Sequence, residues 1–96
     1  MLDLTNVGAG AAFGVVVMRG KVELDAINKS YEMVKFSPST LGPGVTAQAP
    51  FYPEDDGCMT IQYRGSDRID RYTIVSSKNG FWQEHWVRRG TQFIRL

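Results

Sequence analysis

The sequence predicts an α+β domain, with one helix packed on a four- or five-stranded antiparallel sheet that ends in a C-terminal β-meander. Three observations predict it. Residues 21–36 (KVELDAINKSYEMVKF) contain no Gly or Pro, and they place Leu24, Ile27, Tyr31 and Val34 at steps of three, four and three, which is one face of a helix. Residues 58–96 hold four short runs rich in alternating, β-branched or aromatic residues, each separated from the next by a Gly-containing turn signal. The chain is 96 residues with 43% apolar and 22% charged side chains, which suits one hydrophobic core and is too short for two independent ones.

Taken in order, residues 1–12 read as a weakly structured lead-in. Residues 13–18 (FGVVVM) are a continuous β-branched run, as in a strand covered on both faces. The helix is expected over residues 22–35, supported by opposite charges four apart at Lys21–Asp25 and Asp25–Lys29. Residues 21–26 also alternate polar and apolar, so a strand between turns at Arg19-Gly20 and Asn28-Lys29 is the competing reading. Pro38 ends either element, because the residue before proline is driven out of helical space. Residues 37–57 hold all four prolines and three glycines and read as a surface loop with a short edge strand over 45–49. The meander strands are 58–64, 68–76, 81–88 and 92–96, with turns around Gly65, Asn79-Gly80 and Gly90. The whole chain is expected to form one domain. The order β-α-β-β-β-β is similar to that of cystatin-like folds, an analogy of architecture that implies no function. A small all-β barrel is the alternative.

If Asn79-Gly80 form a two-residue hairpin loop, Ile74 faces His85 and Tyr72 faces Val87. The opposite face then carries Val75–Glu84, Thr73–Trp86 and Arg71–Arg88. On this register Trp82 and Trp86 stand in a row flanked by Arg71 and Arg88. A slip of one residue would reverse every assignment.

The net charge of +1 is a cancellation. Residues 1–60 carry four bases and seven acids, and residues 61–96 carry seven bases and three acids, so the two parts sum to −3 and +4. Six of the seven C-terminal bases are arginine, and both tryptophans lie in the same stretch. An aromatic and arginine sheet face is the composition of interface hot spots. The expected function is therefore a small non-enzymatic protein-interaction module of adaptor or inhibitor type, a format common among phage and accessory proteins. Its candidate binding residues are Trp82, Trp86, Arg71, Arg88, Arg89, Tyr63 and Arg64, with a protein partner or a second copy, most simply as a homodimer. Single-stranded nucleic acid is the alternative partner, since bases stack on rings and arginine meets phosphate. A small-molecule pocket or enzyme using His85 is the third reading.

No cofactor or metal is expected. One Cys and one His fall short of a zinc site, and the Glu54-Asp55-Asp56 cluster lacks the ligand spacing of a calcium loop. Gly8, Gly10 and Gly14 precede a strand-like run instead of following one, unlike a phosphate-cradling loop. A Cys58–His85 dyad is the one conceivable nucleophilic pair, and Asp70 and Glu84 fall on opposite faces in the expected register. The uncharged run 7–18 lacks a preceding basic residue and stops at Arg19, so it reads as neither signal peptide nor membrane span. The single thiol fits a cytoplasmic setting.

Overall fold

The computed structural model describes residues 2–20, 33–34, 36, 39–50, 58–77 and 80–96. These residues form eight strands: β1 (Leu2–Thr5), β2 (Phe13–Arg19), β3 (Met33–Val34), β4 (Thr46–Ala49), β5 (Cys58–Arg64), β6 (Asp70–Ser76), β7 (Trp82–Arg89) and β8 (Gln92–Arg95). β1 and β4 make a two-stranded ribbon, and the other six make one sheet in the order β3-β2-β5-β6-β7-β8, antiparallel throughout. The meander is present as expected. The α+β class is not: the described residues contain no helix, so the resemblance of element order to cystatin-like folds also fails. Of the span read as a helix, Met33–Val34 pairs antiparallel with Met18 and Val17 as β3, and residues 22–32 and 35 lie outside the described residues. Nor do the strands close into a barrel, because β3 and β8 end the sheet without meeting.

The physical reason lies in what covers the sheet. Along β2, β5 and β6 the side chains of Val15, Val17, Met59, Ile61 and Val75 point to one face and are buried. Leu2 and Leu4 of β1 and Ala47 and Ala49 of β4 pack against them, together with Leu41. The ribbon thus covers the Val75 face of the sheet, opposite the Ile74 and Tyr72 face. It is formed by segments read from sequence as lead-in and loop, where the apolar side chains are small or few. Leu2 and Leu4 alternate with Asp3 and Thr5, and the outward residues join across the ribbon through Gln48 Nε2 to Asp3 Oδ1 (3.1 Å) and a Thr5–Thr46 hydroxyl pair (2.8 Å). Gly14, at φ +58°, sits where the β2–β5 register shifts between Phe13 and Val16. This is the bulge chemistry that favours glycine.

The β6–β7 register departs from expectation by one residue. Ser76 pairs with Trp82, leaving residues 77–81 between the strands, with Gly80 at φ +100°. The facing pairs are Ile74–Glu84, Thr73–His85, Tyr72–Trp86 and Arg71–Val87. A two-residue loop at Asn79-Gly80 would have placed Trp82 across from Ser77 and Trp86 across from Thr73. The longer connection sets the β7 faces the other way relative to β6.

The fold makes Met59 a test. It is fully buried between β2 and β6 beneath the ribbon. Met59→Ala is expected to cost about 2–5 kcal/mol through lost burial and the cavity left behind. Denaturant unfolding measures it, and a loss under about 1 kcal/mol would mean the ribbon does not seal this face.

Candidate functional site

The observed register gathers one aromatic and charged tract. Trp82, Glu84, Trp86 and Arg88 lie on one face of β7. Tyr72 pairs with Trp86, while Phe93 and Arg95 of β8 pair with Arg88 and Trp86. The tract is on the face away from the β1–β4 ribbon. At its centre, the Tyr72 and Phe93 rings meet edge to face, with centroids 5.7 Å apart and planes at 61°. The Arg88 guanidinium lies over the Phe93 ring at 5.8 Å, and its Nε donates to the Gly90 carbonyl at 3.0 Å. Burial of Tyr72 raises its phenol above the ordinary range, the Asp70 carboxylate adds to this, and Arg88 opposes it in part. Glu84 is buried between the two tryptophans, with Oε1 3.7 Å from Arg95 Nη1. Trp82 is 38% exposed, whereas Trp86 is half-buried with its indole N–H shielded and lacking an acceptor.

Of the residues singled out from sequence, Trp82, Trp86 and Arg88 are brought together here. Arg64 is exposed at the far end of β5 on the same face, bound to Asp70 at 2.9 Å. Arg71 and Tyr63 pair with each other on the opposite face. Arg71 is committed to Asp67 through two hydrogen bonds of 2.9 and 2.7 Å. Arg89 is exposed on that opposite face, beside the β7–β8 turn.

Sequence reasoning missed Phe93, Arg95, Tyr72 and Glu84. The signal for the first two was present, because a two-residue turn at Gly90-Thr91 sets Arg88 opposite Phe93. Tyr72 depended on the β6–β7 register, whereas Glu84 follows from alternation along β7 between Trp82 and Trp86.

The catalytic alternatives are not assembled. Cys58 pairs with Ser76 on the tryptophan face, whereas His85 pairs with Thr73 on the other, its Nδ1 3.1 Å from the Thr73 hydroxyl. The sheet itself separates the proposed dyad. Asp70 and Glu84 share a face after all, but Glu84 stands at the Ile74 position of the ladder, four residues or about 13 Å along the strand from Asp70. Among the described residues no group of three or more His, Cys, Asp or Glu side chains is placed to hold a metal ion. Glu54, Asp55 and Asp56 lie outside the described residues. No helix among the described residues is long and apolar enough to cross a membrane. Comparison with family models, curated proteins and solved structures finds no match for this chain.

The Gly65–Ile69 turn that positions Arg71 is locked electrostatically. Hydrogen bonds from Arg71, then from the Ile69 amide, hold the Asp67 carboxyl well below the usual carboxylate range. Because the folded value is depressed, the contribution is present above the unfolded value of about 3.9 and is lost only as pH falls through the folded value. Asp67 is therefore expected to remain ionised at pH 3.5, where an ordinary aspartate is mostly protonated. Carboxyl-carbon NMR titration checks this, and a midpoint near 4 would show that the lock is open in solution.

Proposed function

We propose that this chain is a small non-enzymatic binding module that takes an extended, acidic segment of a partner protein along β8 and the aromatic tract beside it. The observation that carries this is the position of the tract: Trp82, Trp86 and Phe93, interleaved with Arg88 and Arg95, lie on the two strands that finish the sheet, and β8 has no further strand beside it among the described residues. The Leu96 amide bonds the His85 carbonyl of β7, so by alternation the backbone groups of Phe93 and Arg95 face outward. An added strand would bond those groups while its side chains meet Trp86, Phe93 and the arginines. The charge of residues 61–96 supports an acidic partner over a second copy, since pairing β8 with itself would bring two copies of this cationic end of the sheet together. The single thiol, Cys58, is buried and is compatible with the cytoplasm.

A fluorescein-labelled peptide of alternating Glu and Val tests the proposal by anisotropy. Binding is expected at 50 mM NaCl and should weaken with added salt. Trp82→Ala and Arg95→Gln should each reduce affinity about tenfold or more, as hot-spot truncations of about 1.4 kcal/mol do. Absence of binding at low salt, or tighter binding of a labelled oligothymidylate, would overturn it, the second in favour of single-stranded nucleic acid. A concentration-dependent dimer in sedimentation that Trp82→Ala abolishes would overturn it in favour of self-association.

A further inference from the structure

We infer that the end of the sheet where the β5–β6 and β7–β8 turns meet is a phosphate site, which adjoins the tryptophan tract through Arg88. A depression of about 380 Å³ is lined there by Arg68, Ile69, Asp70, Arg88, Arg89 and Gly90. Three arginines, Arg68, Arg88 and Arg89, thus line it with one acid, and that carboxylate is already engaged, with Asp70 Oδ1 accepting from Arg64 Nε at 2.9 Å. The other acid of the turn, Asp67, is taken by Arg71. Among the described residues, Arg68 and Arg89 have no carboxylate partner.

The site is pre-shaped. Arg68 is the one described non-glycine residue with a positive φ, +62°. Left-handed backbone at such a residue persists only where the surroundings over-determine it, and it concentrates at functional positions. Here the Arg68 amide bonds the Gly65 carbonyl at 3.0 Å and the Ile69 amide bonds Asp67 at 3.0 Å. The Arg71–Asp67 pair closes over Gly65 so tightly that a Cβ there would stand 2.8 Å from Arg71 Nη1. The turn is thereby fixed and Arg68 is presented at the depression. On the other side Arg88 is held by the Gly90 carbonyl and the Phe93 ring.

Charge selects the ligand. With Asp70 paired to Arg64, the three lining arginines leave a surplus of three positive charges. A phosphomonoester carries about −1.5 to −2 at neutral pH with three acceptor oxygens, and it suits guanidinium forks better than a singly charged carboxylate does. The depression is larger than a phosphate ion needs, which leaves room for the body of a phosphomonoester.

The test is an amide NMR titration of the full chain with inorganic phosphate, AMP and O-phosphoserine, each at constant ionic strength against an acetate control. Saturable shifts are expected at residues 68–70 and 88–90, with at least one of the two carried phosphates binding more tightly than the free ion. Arg68→Gln combined with Arg89→Gln should weaken binding at least tenfold, and Trp82→Ala should leave it unchanged. Arg68→Gly, which suits the left-handed backbone, should keep the fold and its spectrum while weakening phosphate binding. Shifts that do not saturate or that acetate reproduces, or a double variant that binds like the parent, would overturn the site. Weaker binding of both carried phosphates than of the free ion would overturn its assignment to a phosphomonoester on a larger body.

Discussion

Everything in this structure depends on the packing of the β1–β4 ribbon over Val15, Val17, Met59, Ile61 and Val75. A sheet whose inner strands are apolar on this face is not stable bare in water, and no helix among the described residues covers it. The ribbon is a poor element in isolation, since two short strands do not hold together alone. It is held by backbone stitching to the sheet: Ala12 and Leu41 exchange both of their hydrogen bonds at 2.8 and 2.9 Å, and the Val15 amide bonds the Ser39 carbonyl at 2.8 Å. Asn6 is the hub of this joint. Its side-chain amide donates to the carbonyls of Gly10 and Leu41 at 2.9 Å, its Oδ1 accepts from the Gly8 amide, and its backbone joins Val45 and Gly44. A polar side chain between two strands thus fixes where the apolar ones lie.

The ribbon is narrower than the sheet, and this difference creates the functional surface. It covers β2, β5 and β6, so the core stops near Val75, while β7 and β8 extend beyond it. On the ribbon side of β7, Gln83 and His85 are exposed and Val87 is buried. On the other side lies the tryptophan tract, where Ile74, Tyr72 and Glu84 are buried and Trp82 is exposed. The two ends of the sheet therefore answer different demands. β2 and β5 read as strands because burial selects β-branched residues, whereas β7 (WQEHWVRR) has a pattern set by what it presents.

That division explains what was legible in the sequence. The meander strands could be read almost to the residue, because each is a short β-rich run between glycine turns whose backbone demands are local. The ribbon could not. Leu2, Leu4, Ala47 and Ala49 are individually weak signals, and only long-range contact with Val17 and Met59 makes them strands. Met33–Val34 shows the same limit from the other side: Val34 fits a helical spacing and equally an antiparallel pair with Val17, and the choice depends on the neighbour. The candidate site was half legible for a related reason. The alternation within β7 alone puts Trp82, Trp86 and Arg88 together, but which β6 residues join them depended on the hairpin loop. Five residues in place of two exchanged Arg71 and Thr73 for Tyr72 and Ile74.

The charge asymmetry gains a structural meaning from the same register. The three acids of residues 61–96 each have an arginine beside them: Asp67 with Arg71, Asp70 with Arg64, and Glu84 with Arg95. Removing those three pairs from the seven bases leaves Arg68, Lys78, Arg88 and Arg89, which is the whole of the +4. The surplus is not spread over the surface. Three of its four members line one depression, brought there by two turns that are twenty residues apart in the chain. Like charges gathered in this way repel one another and weaken the compact state unless an anion lies among them. Ion pairs that serve only solubility or register would distribute the arginines; here Asp67 holds a turn in shape, Asp70 and Glu84 take arginines of neighbouring strands, and three of the four cations left over line one end of the sheet.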